Sequence, residues 1–129
     1  GVNVSIVGFA LLAKEKGHRV IAVTSLKHTM QVEPKHASGQ RLCDVADVVI
    51  DNLAPFGDAT IALSGGVSVG SVSSITSAFI AQLLTIGVAE RIGAHGQVPP
   101  LYLSANIPGG DEHNHELEKK YEGRITRGT

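Results

Sequence analysis

A short apolar run that ends in two hydroxyl side chains dominates the early part of the chain. Within GHRVIAVTS, residues 17–25, the run VIAV at 20–23 shows no alternation of apolar and polar residues. Such a run is typical of a parallel strand that is buried on both faces. Thr24 and Ser25 follow it directly. Ligands of open α/β sheets bind beyond the carboxyl ends of the strands, so we expect Thr24 and Ser25 at the rim of a small-molecule site.

Helix-type and strand-type patterns alternate along the chain. Apolar residues at helical spacing predict a helix over Val4 to Lys16, with Asn3 as its N-cap and Gly17 as its C-cap. The further predicted elements are a short helix capped by Ser38 that reaches Ala46, strands at 47–51 and 101–105, an edge strand at 59–63, an apolar core helix at 75–92 and a last helix at 111–121. This alternation predicts an α/β fold with a parallel sheet. A crossover helix needs a strand ahead of it, so we interpret residues 4–25 as the α-β part of a β-α-β unit whose first strand is missing or disordered.

Composition and charge narrow the classes of function. The 129 residues are enough for one domain, and we expect 1–129 to form one. The formal net charge of -1, the lack of a basic cluster and an aromatic content of 4% argue against a nucleic-acid partner. Cys43 is the only cysteine, which excludes an internal disulfide and favours a reducing, cytoplasmic location. The sequence shows no signal-peptide pattern, and its apolar stretch from Ala78 to Ala89 is too short and polar to span a bilayer, so we expect no membrane partner.

A Gly/Ser-rich stretch leads into the long apolar helix. The segment SGGVSVGSVSS, residues 64–74, would offer free backbone N–H groups, the positive end of a helix dipole and several hydroxyls. These groups suit a phosphate or a sugar hydroxyl, with Ser71, Ser73, Ser74 and Thr76 as the side chains involved. A flexible connection followed by an N-cap explains the same residues equally well. The stretch lacks the lysine of a Walker loop and does not match the dinucleotide fingerprint GxGxxG.

The DEHNH cluster at 111–115 is the second candidate for chemistry. A histidine and a carboxylate after a strand can serve as general base and acid for proton transfer between carbon and oxygen. As a metal site the cluster is weak, because His113 and His115 diverge on a helix, and we predict no metal. An acidic first turn that complements the helix dipole, with solvated histidines, explains the cluster equally well.

Single residues elsewhere carry weaker signals. Cys43 is better explained as a small apolar residue on a helix than as a nucleophile. His28 and His36 follow the strand at 17–25 and could line the same rim, although solvated loop histidines are commoner. Neither histidine enters the predicted site.

Three stretches resemble a known family. VIAVTSLKHTMQVEPKHASGQRLCDVADVVIDNLAPFGDA, VGSVSSITSAFIAQLL and especially YLSANIPGGDEHNHELEKKYEGRI are similar to the sugar isomerase (SIS) domain family, in a branch of uncharacterised proteins some of which are labelled phosphoheptose isomerase. The resemblance covers nearly the whole chain. It implies a three-layer α/β/α sandwich around a parallel, flavodoxin-like sheet, and a homodimer or homotetramer.

The resemblance also implies where a ligand binds. Gly1 and Asn3 match the end of the family's phosphate loop, Ser-x-Ser-Gly-x-Ser/Thr, with asparagine where serine or threonine is usual. The serines before that glycine and the family's first strand are absent, so we expect the carboxyl-terminal portion of a longer domain. The remaining positions that match the family are Thr24, Ser25, Ser73, Ser74, Asp111, Glu112 and His113.

The function implied is that of a phosphosugar-binding SIS domain that isomerises aldose and ketose sugar phosphates. Glu112 or His113 would carry the acid-base catalysis, and no cofactor enters. The predicted ligand-binding residues are Gly1, Asn3, Thr24, Ser25, Ser73, Ser74 and Asp111. The alternative is a non-catalytic sensor of a sugar phosphate. A nucleotide-binding domain is disfavoured because the dinucleotide fingerprint is missing.

Overall fold

The chain is a mixed α/β protein, as its alternating patterns predict. The computed structural model describes residues 1–124, which divide into one unit of Gly1–Thr85 and a second that starts at Ile86. The helices are α1 (Val4–Glu15), α2 (Leu26–Thr29), α3 (Leu42–Val45), α4 (Val72–Ala94) and α5 (Gly110–Lys120). The strands are β1 (Ile21–Thr24), β2 (Val48–Asp51), β3 (Ala59–Ala62) and β4 (Ser68–Ser71).

The first two strands form a parallel sheet. β1 pairs with β2 in a register that sets Thr24 beside Asp51, so both strands end at the same edge. Burial alternates along β1: Ala22 and Thr24, which share a face, are buried, whereas Ile21 is 56% exposed. The prediction of a strand buried on both faces is therefore wrong for the described residues. The physical reason is that this sheet has two strands here and is covered on one face only.

The core of the first unit lies between α1 and α3. Val7 and Ala10, one helical turn apart, pack against Val45 of α3. The predicted start of α1 is confirmed, because Asn3 occupies the N-cap position. The helix ends one residue earlier than predicted, so Lys16 is its C-cap and Gly17 follows with φ of 80°. Val20, directly before β1, also packs against this cluster.

Helix α3 begins later than the sequence predicts. Its first residue follows Arg41, whose backbone N–H donates to Asp44 Oδ2 at 2.7 Å. Ser38 does not cap it, because the Ser38 hydroxyl bonds to the His36 ring instead. The Ser38 cap was therefore a wrong prediction.

The Gly/Ser-rich stretch forms a strand as well as a turn. β4 pairs antiparallel with β3, and Gly65 and Gly66 make the connecting turn with φ of 85° and 77°. The predicted strand at 59–63 is confirmed as β3, but its partner was predicted as loop. Small residues in β4 weaken the strand pattern, so only the pairing with β3 identifies it.

Helix α4 is longer and more exposed than predicted. It has 23 residues and no buried residue, so the prediction of a core helix is wrong for the described structure. Ile75 and Phe79 are 75% and 63% exposed. With a mean hydropathy of 1.7 in its most apolar stretch, α4 meets the length and composition of a membrane span, although core helices of soluble proteins meet them too. One such helix is weak support for a membrane location.

The predicted strand at 101–105 is not a strand in the second unit. The side chain of Asn114 on α5 forms hydrogen bonds with both backbone groups of Leu103. Its Oδ1 accepts the Leu103 N–H at 2.9 Å, and its Nδ2 donates to the Leu103 carbonyl at 2.8 Å. One side-chain amide thus replaces the neighbouring strand that the apolar pattern suggested. The predicted last helix is confirmed as α5.

Candidate functional site

A polar cavity lies beyond the carboxyl ends of β1 and β2, where the sequence predicts a site. It has a volume of about 300 Å³ and lies within the first unit. Hydroxyl, amide, imidazole and carboxylate side chains dominate its wall. The lining residues are Gly1, Val23, Thr24, Ser25, His28, Thr29, Asn52, Ala54, Pro55, Asp58, Ser73 and Ser77. Four predicted site residues therefore meet here, namely Gly1, Thr24, Ser25 and Ser73.

Two buried threonines form one wall of the cavity together with the first residue. Thr24 Oγ1 and Thr29 Oγ1 lie 3.2 Å apart and share a hydrogen bond. Gly1 approaches both so closely that a Cβ atom there would lie 2.6 Å from Thr24 Oγ1 and 2.9 Å from Thr29 Oγ1. Only glycine fits at this position without moving a threonine.

Ser25 holds the rim of the cavity together. Its hydroxyl donates to the Ala54 carbonyl and accepts the His28 N–H at 3.0 Å, which caps α2. The buried hydroxyl is therefore engaged on both its donor and its acceptor side. A ligand hydrogen bond to Ser25 would share an oxygen that already has two partners.

Replacing Ser25 by alanine should lower the free energy of unfolding by about 2 kcal/mol, because it removes a helix cap and leaves a buried carbonyl without a partner. Urea unfolding followed by circular dichroism measures this. Ser5→Ala, on the exposed face of α1, is the matched control and should change stability by no more than about 0.5 kcal/mol. Equal stability of the two variants would contradict the role given to Ser25.

Asn52 connects the end of β2 to the start of α4. Its buried side chain accepts the Ala54 N–H at 3.1 Å through Oδ1, and its Nδ2 donates to Ser77 Oγ at 3.4 Å. The neighbouring Asp51 accepts the Leu26 N–H at 3.1 Å. These bonds arrange the rim so that the cavity lies between two strand ends and a helix start.

Asp58 occupies the amino-terminal end of α4. Its Oδ1 accepts the Ser73 N–H at 2.7 Å, and its Oδ2 accepts hydrogen bonds from the Ser71 and Ser73 hydroxyls. These donors, the Ser71 hydroxyl foremost, hold the pKa of the Asp58 carboxyl below its usual value. Asp58 directly precedes β3 and adopts a left-handed backbone with φ of 67°. The Ser73 N–H and the two hydroxyls, expected to be free for an anion, thus already bind a carboxylate.

A hydrogen bond from the backbone of Gly57 holds the His28 ring in one tautomer. The Gly57 N–H donates to His28 Nδ1 at 3.2 Å, so a neutral ring carries its proton on Nε2. The ring also stacks on Phe56, with centroids 5.3 Å apart. His28 is therefore a fixed part of the cavity wall, whereas the sequence left its position open.

No family model matches the chain. The chain is similar to UPF0309 proteins. It is 36% identical to one from Listeria innocua over 126 residues, which are 97% of the chain and 51% of that protein. It is 35% identical over 128 residues to one from Caldanaerobacter subterraneus, covering 97% of the chain and 52% of that protein. The chain therefore spans about half the length of these curated relatives.

The other predicted site residues lie outside the lining of the cavity. Asn3 precedes α1 and makes no side-chain cap, and Ser74 donates to Ser71 Oγ at 3.1 Å. Asp111, Glu112 and His113 form the start of α5 in the second unit. The acid-base role of Glu112 and His113 stays a prediction.

The DEHNH cluster is partly engaged by the backbone. His113 Nε2 lies 3.0 Å from the Leu101 carbonyl, which can only accept, so this nitrogen carries the proton. His115 Nδ1 likewise donates to the Asp111 carbonyl at 2.9 Å. Within residues 1–124, no group of 3 or more His, Cys, Asp or Glu side chains is placed to hold a metal ion.

The environment of Cys43 does not favour a nucleophile. Burial and, to a smaller extent, the neighbouring Asp44 carboxylate raise the pKa of the Cys43 thiol. A smaller fraction of this thiol is therefore ionised to the nucleophilic thiolate.

Sequence reasoning missed several residues of the cavity. Asn52 had a usable signal, because DVVIDN becomes polar at its carboxyl end just as VIAVTS does. Thr29 and Ser77 lie within helical turns and had no such signal. Asp58 had none either, since its position depends on the hairpin that brings it to α4.

Proposed function

We propose that the chain is a phosphosugar-binding domain of the sugar isomerase type, and that it interconverts aldose and ketose sugar phosphates. The observation that carries this proposal is the hydroxyl-lined cavity at the carboxyl ends of β1 and β2. Three buried hydroxyls, from Thr24, Ser25 and Thr29, face a space whose size suits a small metabolite. Such a lining can donate to and accept from the hydroxyls of a sugar.

The phosphate group is best accommodated near residues 1–3. Asn3 leaves the first N–H groups of α1 without a side-chain cap, and the first bond of that helix is donated by the Val7 N–H to the Asn3 carbonyl. Gly1, two residues earlier, lines the cavity. The start of α4 is less suitable, because Asp58 already brings a negative charge there. The proposed ligand therefore carries its phosphate toward Gly1 and its hydroxyls toward Asn52 and the start of α4.

The proposed reaction moves one proton between neighbouring carbons. A base removes the proton from C2 of the aldose, the electron pair forms a C1=C2 enediol with protonation of the carbonyl oxygen, and return of a proton to C1 with loss of the O2 proton gives the ketose. Glu112 or His113 would exchange these protons, a role that rests on the family resemblance. Hydrogen-bond donors of the cavity would stabilise the charge that develops on the oxygens.

The exposed face of the β1–β2 sheet supports a larger fold than the described residues show. A parallel sheet is normally covered on both faces, yet Ile21 and Val48 are 56% and 44% exposed. We propose that further strands and helices complete a three-layer α/β/α sandwich, of which 1–129 is the carboxyl-terminal portion. A cytoplasmic homodimer or homotetramer, with no nucleic-acid or membrane partner, is the proposed form.

One observation favours the sensor as a second candidate. The two titratable side chains of the cavity are both held in hydrogen bonds: Asp58 has a lowered pKa and is a weak base, and His28 Nδ1 is occupied. A cavity with these groups can bind a sugar phosphate without turning it over.

A panel of phosphorylated aldoses separates these functions. We expect a bound sugar phosphate at about 100 times its Kd to stabilise the fold by about 2.7 kcal/mol, seen as a higher Tm, while the unphosphorylated sugars give no shift. Ketose formation in the same samples supports the isomerase, and stabilisation without product supports the sensor. No shift with any sugar phosphate would contradict both. Glu112→Gln and His113→Ala variants that keep full turnover would contradict the acid-base assignment.

A further inference from the structure

We propose that Asp58 makes the cavity selective for sugar monophosphates over sugar bisphosphates. This inference rests on the proposed phosphosugar function. It concerns the wall at the start of α4, where Asp58 and Ser73 line the cavity. The consequence is that the ligand end that meets this wall must be uncharged.

The charge of Asp58 has no ion-pair partner within residues 1–124. The ion pairs there involve Asp47 and Glu116 instead. Among the residues that the structure describes, no lysine or arginine lines the cavity, and His28 is the only other titratable side chain in its wall. An incoming phosphate beside Asp58 would therefore meet a carboxylate for which only His28 in the cavity wall offers a compensating charge.

Three donors at the start of α4 that could attract an anion are already used. The Ser73 N–H and the hydroxyls of Ser71 and Ser73 all donate to the Asp58 carboxylate. The carboxylate thereby takes the place that a phosphate would occupy at a helix amino terminus. A second phosphate would have to displace it and break these bonds.

A sugar hydroxyl faces no such obstacle. A carboxylate offers roughly four acceptor positions, and the protein fills fewer than that, so Oδ1 can still accept from a hydroxyl. A phosphate dianion has no proton to donate to Asp58. The same side chain thus attracts a polyol end and repels a phosphate end.

The test compares one pair of ligands on the intact chain. Isothermal titration with fructose 6-phosphate and fructose 1,6-bisphosphate should show at least about tenfold tighter binding of the monophosphate. Asp58→Asn should reduce this ratio to about threefold or less, because asparagine accepts the Ser73 N–H and tolerates positive φ but carries no charge. Glu15→Gln removes an exposed charge of α1 away from the cavity and should leave the ratio unchanged.

The outcomes separate this inference from the proposal it rests on. Equal affinities of the wild type for both ligands would overturn the selectivity and leave phosphosugar binding intact. Binding of neither ligand would overturn the selectivity for this pair, and the panel of phosphorylated aldoses then decides the proposed function separately. If Asp58→Asn does not fold, the wild-type ratio measured from low to high salt decides: it should fall as salt screens the repulsion, and a constant ratio would contradict a charge effect.

Discussion

Replacing Gly1 by alanine is expected to weaken ligand binding at least about tenfold and to lower the free energy of unfolding by about 2 kcal/mol, since overpacking a close contact typically costs this much. The new Cβ would lie 2.6 Å from Thr24 Oγ1 and 2.9 Å from Thr29 Oγ1. Both threonines are buried, and a β-branched side chain has few other rotamers. One threonine must therefore move into the cavity, or residue 1 must move away from it.

Moving residue 1 is also costly. The Gly1 carbonyl accepts the Leu42 N–H at 2.8 Å, and Val2 beside it is 5% exposed. Urea unfolding and titration with fructose 6-phosphate measure the two effects. Gly8→Ala is the matched control: its Cβ would meet His36 Nε2 at an ordinary 3.6 Å, so it should bind normally and gain up to about 1 kcal/mol of helix stability. If Gly1→Ala behaved like Gly8→Ala, the close wall described for the cavity would be wrong.

The site residues that the sequence predicts correctly are those whose positions depend only on their neighbours along the chain. The run VIAV followed by Thr24 and Ser25 identifies both a strand and the end at which parallel strands place polar groups. The same rule applied to DVVIDN would have added Asn52. These residues need no knowledge of distant contacts.

Asp58 shows what the sequence leaves undetermined. It lies 15 residues before Ser73, and their hydrogen bonds exist because β3 pairs with β4 and returns the chain to the start of α4. The Ser/Gly composition of β4 has little strand propensity, so the pairing was not predictable. A helix start expected to bind an anion was therefore found to hold a carboxylate.

The predicted strand at 101–105 failed for a related reason. Its apolar residues are typical of a strand, but a strand needs a neighbour to satisfy its backbone. Here Asn114 satisfies both backbone groups of Leu103 from the side. Pattern alone does not distinguish a strand partner from one well-placed amide.

Replacing Gly110 by alanine should separate α5 from the segment that precedes it, with a loss of at least about 3 kcal/mol in local stability, at the large end of single-residue effects. A Cβ there would lie 2.1 Å from the Ser104 carbonyl oxygen and 3.0 Å from its carbon. Both are backbone atoms, so no change of rotamer relieves the clash. Asn114, four residues along the same helix, would then lose its bonds to Leu103.

Hydrogen exchange at the Leu103 amide measures the loss of the Asn114–Leu103 bonds directly. The amide should be protected in the wild type, where it donates to Asn114 Oδ1, and should exchange much faster in Gly110→Ala. Gly93→Ala, on α4 with nothing within 4 Å of its Cβ, is the matched control and should keep the protection because alanine favours the helix. Equal protection in Gly110→Ala would mean that α5 and Ser104 are not held at this distance, and that Asn114 does not need Gly110 to reach Leu103.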